Sequence, residues 1–183
     1  MKKLIKVWHI EITDADSIPA TKTNTERPYE LKQLTHPLPE LSRFLYLAVG
    51  AKWYWYMRIT WTYQQWVEFL SRPGVVTWVA YVEGTPIGYF ELETQPDSNV
   101  EISYFGLISE FIGQGYGRRL LEDAIRTAWA LGGKRVWLHT CTLDHPQALP
   151  NYLARGFQIF KEEEFEDNIP DEKLQPWPEA QKY

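Results

Sequence analysis

The run Val100-Glu101-Ile102-Ser103-Tyr104-Phe105-Gly106-Leu107, followed after a short connection by Gly113-Gln114-Gly115-Tyr116-Gly117-Arg118-Arg119, governs how this chain is read. The first part has the apolar and aromatic content of a strand. The second part opens the clearest helix of the sequence, over 115–131, with Gly117, Leu121, Ala124, Ala128 and Leu131 on one stripe at helical spacing. Glu122 and Arg126, four apart, are expected on the opposite side. Gly132-Gly133 ends the helix. Alternate glycines let the backbone curl and approach a ligand without a Cβ clash. The first amides of a helix lack partners and carry partial positive charge. Together these features predict an anion cradle suited to a pyrophosphate, with Arg118 and Arg119 adding charge. The spacing excludes a Gly-x-Gly-x-x-Gly dinucleotide fingerprint, because Arg118 stands where its third glycine would be, and no Gly-Lys-Ser/Thr completes a nucleotide-triphosphatase loop. A tight strand-to-helix connection with no ligand is the alternative.

Outward from the turn, elements alternate. Residues 76–82 and 86–93 are strand-like runs around Glu83-Gly84-Thr85, a hairpin, and 95–99 is a turn. After the helix, 135–140 reads as a strand. A helix from Pro146 to Ala154 follows, with Pro150 inside it to shorten or distort it. A last strand covers 157–165. Upstream, 7–12 is a strand, 40–50 a helix stopped by Gly50, and 63–71 a helix capped by Thr62. Thr13 to Pro39 reads as loop with one helical turn at most, and the tail after Asn168 as irregular.

Composition bounds the functional classes. A chain of 183 residues with 44% hydrophobic and 15% aromatic content can bury a full core. The net charge of −5 disfavours a nucleic-acid surface. The single Cys141 rules out an intrachain disulfide and makes a cytoplasmic setting the simpler expectation. Neither a signal peptide nor a transmembrane run is expected.

Ile112-Gly113-Gln114-Gly115-Tyr116-Gly117 resembles the Gln/Arg-x-x-Gly-x-Gly/Ala signature of the GCN5-related N-acetyltransferase family, with Ile112 departing from the usual Gln or Arg. Tyr152 to Phe157 resembles that family's helix-ending Tyr-x-x-x-Gly-Phe, and Val82 to Gly88 its hairpin. The matches fall in the family's order over 76–165. The resemblance implies an α/β fold (α+β): a mixed, twisted sheet of six to seven strands with helices on both faces. It implies one domain over 1–183, with an acceptor-side segment in 1–75, an acetyl-CoA-binding core in 76–165 and a polar tail in 166–183.

The implied activity is transfer of the acetyl group of acetyl-CoA to a primary amine of a small molecule or peptide, without a metal. A non-catalytic acyl-CoA-binding module is the alternative reading, and an interaction domain using the aromatic surface a third. Glu101 is the implied base, six positions before Leu107, and period-two alternation places it on one face with Ser103, Phe105 and Leu107. Tyr152 is the implied acid. Cofactor contacts are implied at Leu107 (through its backbone amide), Ser109, Gly113, Gln114, Gly115, Gly117, Arg118 and His145. Asp144 suits a helix cap. Cys141 reads as a buried thiol rather than a nucleophile. In the aromatic segment, Trp53, Trp55 and Trp61 are expected to hold a cationic acceptor, with Arg58 pairing an acceptor carboxylate. The bland readings are core packing or a homodimer interface.

Overall fold

The computed structural model describes residues 1–15 and 28–171. A seven-stranded mixed sheet forms its centre. The strands are β1 (Lys2–Ile12), β2 (Glu30–Gln33), β3 (Val75–Val82), β4 (Thr85–Gln95), β5 (Asn99–Leu107), β6 (Arg135–Cys141) and β7 (Gln158–Asn168). Their order is β2-β3-β4-β5-β6-β1-β7, and every pairing is antiparallel except β5 with β6. Helices α1 (Pro39–Gly50) and α2 (Tyr63–Leu70) belong to one side of the sheet, α3 (Tyr116–Ala130) and α4 (Ala148–Leu153) to the other.

The main core lies under α3. Leu120, Leu121, Ala124, Ile125 and Ala128 pack on Ile10, Phe90, Leu92, Val100, Ile102, Val136 and Leu138. Each large aliphatic buried there contributes roughly 1.5–3 kcal/mol. Leu131 does not extend this stripe. It is the C-cap residue, past the last helical turn, and is 41% exposed. Glu122 is buried rather than outward, and pairs with Arg118 and Arg155, while Arg126 lies near Asp123.

Other boundaries move for local reasons. The first strand begins at Lys2, not Val7, because Lys2 and Lys6 pair with Glu166 and Glu162 on β7 while Ile5 and Val7 turn inward. Strand β2 falls within the stretch expected to be loop. Its four residues, Glu-Leu-Lys-Gln, are too few to show alternation, and only Leu31 packs on the core. The hairpin loop is Glu83-Gly84 alone, both at positive φ, so Thr85 is already strand. Helix α4 is shorter than expected and begins at Ala148. Pro150 is its third residue, where an amide would have no intrahelical partner, so the ring costs no hydrogen bond. Parts of the segments expected as loop and tail, 16–27 and 172–183, lie outside the described residues. Among the described residues, no helix is long and apolar enough to cross a membrane.

Thr62 caps α2 as expected. Its hydroxyl accepts from the Gln65 amide and the Gln65 side chain accepts from the Thr62 amide, a reciprocal capping box. Thr62→Ala is expected to cost about 1 kcal/mol, read as a lower urea midpoint at unchanged slope. An unchanged midpoint would show that tertiary packing alone holds α2.

Candidate active site

Strands β5 and β6 pair at only three positions, Asn99 with Arg135, Val100 with Val136 and Glu101 with Trp137. Immediately beyond, β5 carries a bulge: Glu91 pairs with Tyr104 and Leu92 with Ile102, leaving Ser103 as the extra residue. The two strands then part, and a cleft of about 970 Å³ opens between them. The bulge corrects the period-two expectation. Glu101 shares a face with Tyr104 and Gly106, whereas Phe105 and Leu107 turn toward α3 and α4. Ser103 lines the cleft, and its hydroxyl is buried without a protein partner.

One end of the cleft is the glycine turn. Gly113 and Gly115 have φ of +81° and +89°, and a Cβ at either would meet no protein atom within 4 Å. Both line the cleft, so the space beside them is open for a ligand. Gly115 is the N-cap of α3 and no side chain caps the helix, which leaves its first amides to an anion. Arg118 and Arg155 line the same end, tied at 3.1 and 3.3 Å to the buried Glu122. Gly117, Leu107 and His145 also line the cleft, whereas Ser109 and Gln114 do not. The Gln114 amide instead donates to the Glu110 carbonyl at 2.7 Å and braces the turn. These residues suit a pyrophosphate followed by an extended arm running between the strands. Acetyl-CoA has that shape and charge.

Tyr152 lines the cleft, its ring edge-on to Phe105 and Phe157. Burial pushes its phenol well above the ordinary value, so the hydroxyl keeps its proton at neutral pH. Glu101 does not line the cleft. It accepts from the Gln95 side chain at 2.8 Å, and Gln95 in turn accepts from the Trp137 indole. Burial, then the neighbouring Glu93, pushes the Glu101 carboxyl above its ordinary value. Between Glu101 and the cleft stands His139, with Nδ1 3.8 Å from Glu101 Oε1. His9 lies on the adjoining strand, bonded to Glu163 at 2.8 Å. The sequence reading passed over His139 and His9. In β6 the buried Val136, Leu138 and Thr140 alternate with Arg135, Trp137 and His139, so the strand's period was the available signal.

Burial pushes the Cys141 thiol up to about 11, which agrees with an inert thiol. Asp144 caps no helix. Its carboxylate accepts from the Thr140 hydroxyl and the Cys141 amide and closes the turn after β6. His145 Nδ1 accepts from the Gln147 amide, and its ring meets Trp53 edge-on at 5.0 Å.

The far end of the cleft is walled by Trp53, Tyr54, Trp55, Tyr56 and Met57, opposite Glu163, Phe165 and Asp167 of β7. Arg58 and Trp61 take no part in it. Arg58 is buried in a two-pronged pair with Glu91 at 2.9 and 3.1 Å, ringed by Trp61, Trp66, Phe69 and Tyr104. That arrangement overturns Arg58 as an acceptor-carboxylate contact, because its donors are spent inside the fold. Among the described residues, no group of three or more His, Cys, Asp or Glu side chains could hold a metal ion.

A sequence profile described as "Acetyltransferase (GNAT) family" matches residues 32–157. An uncharacterized N-acetyltransferase of Mycobacterium tuberculosis strain H37Rv is 30% identical over 92 residues, 50% of this chain and 58% of that protein. A counterpart in Mycobacterium bovis matches equally. The chain thus spans little more than half the length of these curated relatives. Among solved structures, a GCN5-related N-acetyltransferase from Sphaerobacter thermophilus superposes with a TM-score of 0.65 at 16% identity, over 89% of this chain and 50% of that one. An aminoglycoside acetyltransferase from an uncultured soil metagenomic sample, in complex with sisomicin, gives 0.55 at 15%, over 70% and 86%. A Bacillus subtilis acetyltransferase in complex with CoA gives 0.54 at 19%, over 70% and 76%. At these identities the structural likeness is one of fold.

Proposed function

The chain belongs to the GNAT acetyltransferase family, and on that premise we propose that it transfers the acetyl group of acetyl-CoA to a primary amine of a small molecule or peptide. The observation that carries the proposal is the uncapped N-terminus of α3, with Gly113 and Gly115 at positive φ, opening into the cleft where β5 and β6 part. Bound there, acetyl-CoA supplies an activated acyl thioester.

The chain's own groups would do the rest. The free α3 amides, Arg118 and Arg155 would hold the phosphates. The Leu107 amide, beyond the last β5–β6 pair, would stabilise negative charge developing on the thioester oxygen. Tyr152 would keep its phenolic proton for the departing sulfur. A base is needed because an alkylammonium ordinarily titrates near ~10.4 and must lose a proton before it attacks. Glu101, raised by burial and set just behind the cleft wall, would support that base rather than reach the acceptor directly. The aromatic wall at Trp53 and Trp55 favours a cationic acceptor, held by the ring faces, because the nearby Glu163 and Asp167 are taken by His9 and Lys161 and by Tyr56.

The first test is thermal unfolding with and without acetyl-CoA, in the wild type and in Gly115→Glu. A ligand at ~100 times its Kd stabilises by about 2.7 kcal/mol. For a chain of this size that raises Tm by roughly 5–11 °C. Gly115→Glu places a like-charged side chain in the cradle and is expected to abolish the shift. Gly115→Ala keeps the backbone cost of a left-handed conformation, about 1–2 kcal/mol, without the charge. It separates strain from loss of the anion site. No shift in the wild type at millimolar ligand would sink the cofactor reading.

A further inference from the structure

Direct transfer of the acceptor's proton needs a group that faces the cleft, and the carboxylate expected to take it does not. Glu101 is held behind the wall by Gln95. His139 stands two residues beyond the last β5–β6 pair, where the strands first part. It lies level with the bulged Ser103 on the opposite lip, lines the cleft, and has a side chain that is 54% exposed. We propose that His139 is the catalytic base that takes the proton of the acceptor amine, with Glu101 as its positioning residue. This assignment rests on the acetyl-transfer reading above.

The other titratable groups facing His139 are poorer choices. His9, on β1, is bonded to Glu163. Glu163, on β7, is also bound by Lys161, and these partners hold its carboxyl below the ordinary value, which makes it a weak base. Asp144, in the turn after β6, is committed to Thr140 and Cys141. His139 has no such competing bond among the described residues. Its Nδ1 is turned toward Glu101, at ion-pair rather than hydrogen-bond distance, and a catalytic contact that is long without substrate can tighten once substrate binds. With the Nδ1 proton directed at the carboxylate, Nε2 is left with its lone pair for the acceptor. Partial desolvation in the cleft wall and then the neighbouring His9 hold the imidazole below its ordinary value against the upward pull of Asp144, which favours the neutral form at pH 7.

The balance is complete without another reagent. Nε2 removes one proton from the ammonium and later releases it to solvent. The amine nitrogen then forms the C–N bond as the C–S bond breaks. The second amine proton replaces, directly or through water, the one that Tyr152 Oη gives to the sulfur.

The test is the pH profile of kcat/KM for wild type, His139→Gln and Glu101→Gln, with 2-phenylethylamine and 1,4-diaminobutane as probe acceptors and released thiol as readout. The wild type is expected to lose activity on the acid side through one group titrating below the usual histidine range. His139→Gln should lack that limb and fall about 10²-fold or more at pH 7. Its deficit should shrink as pH approaches ~10.4, where the amine deprotonates unaided. Glu101→Gln should keep the limb but move it to lower pH, because the carboxylate that favours the imidazolium is gone. Each variant should retain the acetyl-CoA thermal shift. A His139→Gln enzyme that keeps the limb, or stays within about twofold of wild type at pH 7, overturns the assignment while leaving acetyl transfer intact. A wild type that binds acetyl-CoA but acetylates neither amine overturns the transferase reading, and the assignment of His139 with it.

Discussion

Replacing Tyr152 by Phe is expected to lower kcat by about 10²–10⁴-fold, with acetyl-CoA binding little changed. The substitution keeps the ring, so the edge-on contacts with Phe105 and Phe157 remain and the fold should not suffer. What disappears is one hydroxyl facing the cleft. Burial holds that hydroxyl protonated far above neutrality, so it can donate to a departing sulfur and cannot serve as a base near pH 7. A proton delivered only as the C–S bond breaks is an interaction made in the transition state. Its loss should lower kcat and kcat/KM together and leave the acceptor KM alone. Steady-state thiol release across acceptor concentrations separates the cases. A raised KM at unchanged kcat would instead make Tyr152 a binding surface, and the acid would have to be sought elsewhere in the cleft.

The glycine turn was legible because its signal is local. Glycines at 113, 115 and 117 and the apolar stripe behind them need only neighbours in sequence to specify a turn and a helix; both formed within a residue of the expected bounds, and Leu121, Ala124 and Ala128 of the expected stripe are buried, while Leu131 falls past the last turn and Glu122 turns inward. The capping box at Thr62 was legible for the same reason. Non-local features were not. The bulge at Ser103 exists only in the pairing of β5 with β4, and one extra residue was enough to put Glu101 on the face opposite Phe105 and Leu107. His139 and His9 become neighbours only because β1 is inserted between β6 and β7, a strand order that no sequence period encodes. In the segment 53–61 the residue types were read correctly as aromatic and cationic, but tertiary packing divided them. Trp53 and Trp55 face the cleft, whereas Trp61 closes over Arg58. Composition cannot tell an aromatic box around a ligand from one around the protein's own guanidinium.

That division leads to the largest expected effect on stability. Arg58→Met should destabilise the fold by about 3–5 kcal/mol, because it strands the Glu91 carboxylate, whose ion pair among the described residues is with Arg58. The two side chains are only 8% and 3% exposed. For a chain of this length the loss corresponds to a fall in Tm of roughly 6–20 °C. The pH dependence identifies the cause. Burial already pushes the Glu91 carboxyl above its ordinary value against the downward pull of Arg58. A carboxyl raised in the folded state favours folding below its unfolded value, and that contribution is lost as pH rises through the folded value. Without the guanidinium the folded value climbs further. The variant should therefore be weakest near neutrality and recover part of the difference from wild type on acidification toward pH 5. Adding Glu91→Leu removes the orphaned charge and should restore most of the stability, since a buried ion pair is often replaceable by apolar groups of similar size. Thermal melts of the single and double variants at pH 5 and 7 test each step. If Arg58→Met melts within about 2 °C of wild type at both pH values, the Arg58–Glu91 pair is not a mainstay of the fold. The aromatic rings around it would then be packing on one another rather than on the charge.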